Sequence, residues 1–173
     1  MSTRHAYVST DLGELLMVAD GDALIGIYFE KHWYPPAADA IGERTDEYAD
    51  PLISQAAQEI REFLTGTRRD FTVAARTDGD EFNERVWRVL REIPYGQTTT
   101  YGEIAAMLGD RALAQRVGQA VGHNPLSILI ACHRVVGADG ALTGYAGGLP
   151  RKRRLLELEE EVTAGHATRL FPA

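Results

Sequence analysis

The single cysteine of this chain, Cys132, is the residue best suited to covalent chemistry. It is directly followed by His133 and Arg134. A cysteine reacts as its thiolate, and neighbouring imidazole or cationic groups favour that form. Apolar residues flank the three on both sides, which predicts a strand that delivers a nucleophile to the floor of a pocket. The alternative is an inert core cysteine, the usual role of a lone cysteine in a strand.

A cysteine nucleophile needs a base and a group that orients the base. His133 is adjacent, but neighbours on a strand point to opposite faces, so contact requires a bridging water or a break in the strand after Cys132. Glu159 is the candidate to hold His133 if the last helix packs behind the strand; otherwise it is an exposed acid in a run of glutamates. Asn124 is expected either to stabilise the turn that shapes the pocket or simply to end a helix.

Composition favours a globular protein of one or two small domains, with 173 residues, 45% hydrophobic and 25% charged. One cysteine excludes an intrachain disulfide and a multi-cysteine zinc site, and the five histidines show no paired ligand spacing, so we predict no metal. No segment approaches the length of a membrane span, and the N-terminus lacks the apolar run of a signal peptide. The free thiol fits a reducing environment, so we expect no membrane partner and a cytoplasmic location.

Charge is unevenly distributed along the chain. The net charge of −7 argues mildly against nucleic acid, whose binding depends on phosphate neutralisation. Residues 110–154, however, contain seven basic and two acidic side chains. A basic segment in an acidic protein is compatible with a local nucleic-acid face, and the alternative is a solvated helix end at residues 151–154.

The N-terminal half predicts a small sheet with one helix. Strands are predicted at residues 6–9, 14–19, 23–29 and 70–73, with a polar loop over residues 31–47. A helix is predicted over residues 51–64, since Asp50 is a good N-cap, Pro51 a good first residue, and Leu52, Ala56, Ile60 and Leu64 recur at helical spacing.

The C-terminal half predicts several helices around the cysteine. The predicted helices cover residues 81–93, a segment that follows a Thr100–Glu103 capping box and ends near residue 108, residues 111–121 capped by Asp110, and residues 150–160. The middle pair has helix-turn-helix form, which on its own is common in plain cores. A hairpin is predicted around residues 138–140, and residues 162–173 are predicted to be a loosely held tail.

Five short motifs occur in a fixed order in the C-terminal half. They are Tyr-Gly-Glu-Ile-Ala at 101–105, Gly-His-Asn-Pro at 122–125, Ile-Ala-Cys-His-Arg-Val-Val-Gly at 130–137, Gly-Tyr-Ala-Gly-Gly at 144–148 and Lys-Arg-Arg-Leu-Leu-Glu-Leu-Glu at 152–159. The set resembles the O6-alkylguanine-DNA alkyltransferases, or methylated-DNA–protein-cysteine methyltransferases. The resemblance is close from Phe82 to Glu160, and in the N-terminal half it extends only to length and layout.

The resemblance implies an α/β (α+β) fold in two domains. Residues 1–76 would form a ribonuclease H-like sheet-plus-helix domain, and residues 77–173 a winged helix-turn-helix-like domain that carries the active-site cysteine. The implied function is DNA repair by direct damage reversal. A monomer would bind the minor groove of double-stranded DNA, flip O6-alkylguanine into its pocket, and move the alkyl (methyl) group irreversibly to Cys132, once per molecule and without a cofactor.

The resemblance also assigns roles by position. Cys132 would be the acceptor, His133 its water-mediated base, Glu159 the end of the relay, and Asn124 the residue that orients the turn. The substrate would be bound by five residues: Tyr101 donating toward guanine and helping to rotate its phosphate, Val135 offering its carbonyl to the exocyclic amine, Tyr145 and Ala146 forming a lid with the Ala146 N–H on O6, and Lys152 giving electrostatic support. The DNA-binding helix would present Ala114, Gln115, Arg116 and Gly118.

Three positions depart from the family pattern. Gln115 stands where an arginine usually intercalates, and Arg116 is one residue on, a rotation of about 100° around a helix. Ala131 replaces the usual proline before the cysteine, and Ser127 replaces a proline found in some relatives. These changes bear on efficiency and substrate range more than on the type of reaction.

Three other functions compete with repair. The first is a non-reacting module that binds lesions and recruits other repair factors, although the presence of Cys132 counts against it. The second is a cysteine-dependent transferase or hydrolase for a small molecule, which predicts negligible DNA affinity. The third is a transcriptional regulator switched by alkylation of Cys132, for which no additional DNA-binding domain is evident.

Overall fold

Three antiparallel strands open the chain in the computed structural model, which describes residues 2–170 and the side-chain surroundings of residues 2–165. They are β1 (Thr3–Thr10), β2 (Gly13–Asp20) and β3 (Ala23–Phe29). A short strand, β4 (Glu43–Arg44), pairs parallel with β1, so the sheet order is β3-β2-β1-β4. The three predicted strands are confirmed. The predicted loop over residues 31–47 is wrong where β4 and a 3₁₀ turn, Ala38–Ala40, interrupt it.

Helix α1 (Pro51–Leu64) covers one face of this sheet, with the predicted bounds. The Asp50 carboxylate accepts hydrogen bonds from the backbone N–H groups of Leu52 and Ile53, which satisfies two of the free donors of the first turn. The buried face differs from the predicted one, since Leu52 and Leu64 are only half-buried. It consists of Ile53, Ala56, Ala57, Glu59, Ile60 and Phe63.

The strand predicted at residues 70–73 is wrong. The N–H groups of Thr72 and Val73 donate to the carboxylate of the buried Glu59, at 2.8 and 3.1 Å, instead of to a neighbouring strand. A side chain therefore satisfies the backbone groups that a strand would have paired.

Helices dominate the second half of the described chain. They are α2 (Glu81–Arg91), α3 (Tyr101–Met107), α4 (Ala114–Gly122) and α5 (Leu149–Leu170). Thr100 caps α3 as predicted, but the Glu103 carboxylate bonds the Thr99 hydroxyl, so only half of the capping box forms. Asp110 caps a 3₁₀ turn, Arg111–Leu113, which precedes α4, so the predicted single helix over residues 111–121 is wrong at its start.

Two further predictions near the cysteine are wrong. Cys132–Arg134 is a 3₁₀ turn and not a strand, and the short strand β6 (Val135–Val136) follows it and pairs parallel with β5 (Thr99–Thr100). A turn does lie at residues 137–140, where the Gly140 N–H donates to the Gly137 carbonyl, but the described residues after it form no strand, so there is no hairpin.

The last helix is longer than predicted. Helix α5 continues from Leu149 to Leu170, so the predicted tail is wrong over residues 162–170, and its remaining residues, 171–173, lie outside the described part. No helix among the described residues is long and apolar enough to cross a membrane.

The N-terminal sheet pairs directly with the segment that leads to the cysteine. The Ile27 N–H, in β3, donates to the Pro125 carbonyl at 2.8 Å, and the Ser127 N–H donates back to the Ile27 carbonyl at 3.4 Å. The predicted α/β class is confirmed, with a small N-terminal sheet and a helical C-terminal region. The domain boundary between residues 76 and 77 stays a prediction.

Candidate active site

Cys132 sits at the end of a tightly folded segment. The Asn124 amide holds both ends of this segment, since its Nδ2 donates to the Ile130 carbonyl at 2.8 Å and its Oδ1 accepts from the Leu126 N–H at 2.9 Å. Between them, Ile128 has a φ of 74°, a left-handed conformation that is rare for a β-branched residue. Such local strain persists only where surrounding contacts enforce it, as Asn124 does here.

The Cys132 thiol is almost completely buried, with 4% of the residue exposed. Burial raises its pKa above the ordinary value, because a thiolate loses its hydration there, and the nearby Asn124 amide and Lys152 charge offset this only in part. The thiol is therefore neutral at rest and needs a base before it can attack.

His133 is positioned to be that base. The 3₁₀ turn places it in the interior beside Glu159, with 2.6 Å between His133 Nε2 and Glu159 Oε2. Burial lowers the pKa of His133 despite the nearby carboxylate, so the ring is neutral. Since the proton must lie on Nε2 to bond the carboxylate, Nδ1 carries the lone pair, and Nδ1 has no hydrogen-bond partner among the described residues.

Arg134 fixes the Glu159 carboxylate from the other side. Its Nε lies 2.9 Å from Oε1, its Nη2 lies 2.9 Å from Oε2, and its Nη1 donates to the Ile93 carbonyl. The Gly96 N–H also donates to Oε1, at 2.9 Å. Burial alone would raise the pKa of Glu159, but the His133 and Arg134 contacts outweigh it and lower that pKa to about 2. Glu159 is thus a buried, ionised anchor for His133.

The role of Arg134 was missed in the sequence. In the sequence, the place of Arg134 in the Cys-His-Arg run indicates only a positive charge near the thiol. The available signal was a guanidinium within an apolar segment, since a buried arginine requires a carboxylate partner.

Helix α5 supplies a second charge to the pocket. Lys152 and Glu159 lie seven residues apart, or two turns, and so on the same face. Lys152 is fully buried, and its Nζ donates to the carbonyls of Thr143 and Gly144 at 3.2 and 3.4 Å. Burial lowers its pKa to about 8, which leaves the amine largely cationic at neutral pH, close enough to influence Cys132.

Residues 143–148, called the substrate loop below after the role that the resemblance implies, bring Tyr145 close to Cys132. Tyr145 and Ala146 are buried, and the Tyr145 hydroxyl has no hydrogen-bond partner among the described residues. The Tyr101 hydroxyl accepts a hydrogen bond from the Thr143 hydroxyl at 3.0 Å, a contact not foreseen in the sequence. Val135 is buried directly after the 3₁₀ turn. Of the predicted substrate residues, Tyr101, Tyr145 and Lys152 lie close enough to Cys132 to interact with it electrostatically.

The predicted DNA-binding residues form a separate, more exposed group on α4. Gln115 and Arg116 are exposed, whereas Ala114 and Gly118 are half-buried. The Arg116 guanidinium lies over the Phe82 ring of α2, with 4.0 Å between Cζ and the ring centroid. Arg116 is therefore held against α2, while Gln115 is the free long side chain at the start of the helix.

No group of three or more histidine, cysteine, aspartate or glutamate side chains arranged to hold a metal occurs among the described residues.

Two family models together match most of the chain. Residues 3–76 match the ribonuclease-like domain of 6-O-methylguanine DNA methyltransferase, and residues 81–161 match its DNA-binding domain. The methylated-DNA–protein-cysteine methyltransferase of Mycobacterium tuberculosis is 40% identical over 157 residues, which cover 90% of this chain and 92% of that protein. The Haemophilus influenzae protein of the same name is 37% identical, covering 90% of this chain and 86% of its own length.

Solved structures agree with these sequence matches. The crystal structure of M. tuberculosis OGT in complex with DNA superposes with a TM-score of 0.83 at 38% identity, covering 92% of this chain and 94% of that one. A crystal structure of M. tuberculosis O6-methylguanine methyltransferase gives a TM-score of 0.81 at 36% identity, covering 92% and 93%. With both of its halves matched in this way, the chain belongs to the 6-O-methylguanine DNA methyltransferase family.

Proposed function

We propose that this protein repairs DNA by moving the alkyl group of O6-alkylguanine, chiefly O6-methylguanine, to the sulfur of Cys132. One observation carries the proposal: a buried thiol precedes a neutral His133 whose Nε2 is held by an ionised Glu159. Such an arrangement suits a nucleophile that is deprotonated only when its substrate has arrived.

The transfer is a single displacement. His133 Nδ1 accepts the thiol proton through a bridging water, and the resulting imidazolium is stabilised by Glu159. The Cys132 sulfur attacks the alkyl carbon in line with the C–O6 bond, which breaks with its electron pair passing to O6. The restored guanine regains a proton, which Tyr101 donates, and the proton held on His133 returns through water to the Tyr101 oxygen. No cofactor is required.

The pocket residues hold guanine during this step. The carbonyl of Val135 accepts from the exocyclic amine, and the Ala146 N–H donates to O6, where negative charge develops. The buried Lys152 ammonium favours the thiolate, because its charge is poorly screened in the interior. Tyr145 closes the pocket over the base.

The alkylated guanine must leave the stack of DNA bases to reach the buried sulfur. The M. tuberculosis relative was crystallised in complex with DNA. We propose that α4 binds the minor groove of DNA in this protein, with Ala114 and Gly118 close to the backbone and Gln115 in the gap left by the flipped nucleotide. The basic residues of the segment 110–154 would balance phosphate charge.

The product explains why the protein acts once. The thioether on Cys132 has no good leaving group, so each molecule repairs one lesion. We propose that the protein acts as a monomer in the cytoplasm, where a reducing environment keeps the reactive thiol free.

The test is the intact mass of the protein after mixing with an O6-methylguanine duplex. We expect a gain of about 14 Da on Cys132, saturating at one per chain, since one methyl group replaces one thiol hydrogen. The variant Cys132→Ser should gain no mass while retaining salt-dependent DNA binding. Binding without an adduct in the native protein would instead indicate a lesion-binding module. Neither adduct nor binding would indicate a small-molecule enzyme.

A further inference from the structure

Residues 31–34, called the strap below, follow β3 and leave the N-terminal sheet toward the substrate loop. Their shape is fixed at the start, since Lys31 has a φ of 59° and the Phe29 N–H donates to Nδ1 of His32 at 3.3 Å. Burial, with the charge of Arg151, lowers the pKa of His32 to about 4, so its ring is neutral and Nδ1 can accept. The strap is therefore a fixed turn.

Trp33 joins the strap to the substrate loop by two contacts. Its backbone N–H donates to the Ala146 carbonyl at 3.0 Å. Its ring lies so close to Gly144 that a Cβ at that position would overlap Cη2 of the indole. All three atoms nearest to such a Cβ belong to Trp33, so this glycine accommodates the indole specifically.

Tyr34 joins the strap to the end of α4. Its ring stacks on His123, with centroids 3.7 Å apart and an interplanar angle of 14°. Gly122 also faces the strap, with Tyr34 at 3.6 Å and Trp33 at 3.8 Å from the position of a Cβ. Since His123 directly precedes Asn124, the strap contacts both the substrate loop and the segment that Asn124 holds in front of Cys132.

The other end of the substrate loop is also held by the N-terminal half. Gly147 packs against the Phe29 ring, and Arg151 donates to the carbonyls of Gly147, Glu30 and Leu12. Trp33 nevertheless stays 54% exposed. Its indole contributes little to the core, so its removal should alter the loop without unfolding the protein.

We propose that Trp33 is a positioning residue that holds the substrate loop against the pocket and thereby limits the size of the alkyl group that Cys132 accepts. The proposal rests on the proposed function. The loop carries Tyr145 and Ala146, so an outward shift would loosen the in-line geometry for a methyl group. The same shift would open space for a larger group.

The test compares two substrates in one duplex sequence, O6-methylguanine and O6-benzylguanine, with rates expressed per active molecule. In Trp33→Ala, we expect methyl transfer to slow about tenfold, and the ratio of benzyl to methyl rates to rise about tenfold. The matched control is Tyr48→Ala, because Tyr48 is an aromatic residue, 77% exposed, outside the pocket. A Trp33→Ala ratio equal to that of the control would overturn the proposal, since general destabilisation slows both substrates alike.

Gly144→Ala tests the contact between the Trp33 indole and the substrate loop from the loop side. The three atoms nearest to a Cβ there all belong to Trp33, so we expect this variant to slow methyl transfer. Adding Trp33→Ala should bring the rate back to that of Trp33→Ala alone, because the overlap is removed. Losses that simply add in the double variant would overturn the proposal. If the native protein transfers neither group, the proposed function fails; if it is active and only these comparisons fail, the positioning role alone is refuted.

Discussion

The relay behind Cys132 and the exposed face of α4 are built in opposite ways. His133 and Glu159 are buried, and the relay carboxylate is bonded by the His133 ring, by Arg134 and by the Gly96 N–H. On α4, Gln115 stands exposed at the helix start, and Arg116 is held only by the Phe82 ring. Chemistry at a buried atom requires groups fixed before the substrate arrives, whereas groove binding tolerates adjustable side chains.

This contrast predicts different responses to substitution. A substitution in the relay impairs proton transfer and leaves a buried charge without its partner. The transfer rate and the free energy of unfolding should therefore fall together. On the proposed function, a change in an exposed residue of α4 should alter only the extrusion and binding of DNA, so we expect graded effects on the rate and no effect on folding.

The largest effect is expected for Glu159→Gln. The substitution leaves Arg134 buried without a counter-charge and removes the acceptor that fixes the His133 tautomer. We expect a loss of about 3–5 kcal/mol in the free energy of unfolding, and a transfer rate at least about 100-fold lower. Urea unfolding and single-turnover kinetics measure the two quantities.

Glu160→Gln is the matched control for Glu159→Gln, since its carboxylate is the exposed neighbour on the same helix. It should change the unfolding free energy by less than about 0.5 kcal/mol. Similar losses in both variants would contradict the distinction between the relay and the surface.

An intermediate effect is expected from acid. The pKa of Glu159 is about 2 in the folded protein against an ordinary 4.5, so its ionised form stabilises the fold above pH 4.5, and this contribution is lost as pH falls toward 2. The contribution is at most about 3 kcal/mol. The difference in unfolding free energy between the native protein and Glu159→Gln should therefore shrink steadily between pH 4.5 and pH 2. A difference independent of pH would show that the carboxylate charge is unimportant.

The smallest effect is expected for Gln115→Arg on α4. A cationic side chain at the gap should favour base extrusion and raise the rate of transfer from duplex DNA a few-fold, equivalent to less than about 1.4 kcal/mol. Transfer from the free base, O6-benzylguanine, should be unchanged, because no flipping is needed.

Gln119→Arg is the control for Gln115→Arg, since it adds the same charge one turn further along the same exposed helix. An equal gain in both variants would assign the effect to general attraction between the protein and phosphate. Only a gain confined to residue 115 supports the extrusion role.

Local signals account for what the sequence predicted well. Helix α1 begins as predicted, because Asp50 and Pro51 act on their immediate neighbours. The predicted strand at residues 70–73 failed because a carboxylate distant in sequence, Glu59, captured its N–H groups.

The same distinction between local and long-range signals applies to the residues of the site. The apolar run before Cys132 has no periodicity that separates a strand from a buried turn, so the 3₁₀ turn was not predictable. Glu159 is one of four acids in five residues, so the sequence leaves open whether it is buried or exposed, and the structure places it beside His133. The contacts of Trp33 with the substrate loop join residues more than 100 positions apart, and no local pattern encodes them.

The raised pKa of the buried Cys132 thiol has a consequence for the lifetime of the unused protein. A molecule that can act once is spent by any oxidation before it meets a lesion. Peroxides react with the exposed thiolate and scarcely with a shielded thiol. A sulfur that stays protonated in the interior therefore keeps each unused molecule reactive. His133 removes the proton only when damaged DNA is bound.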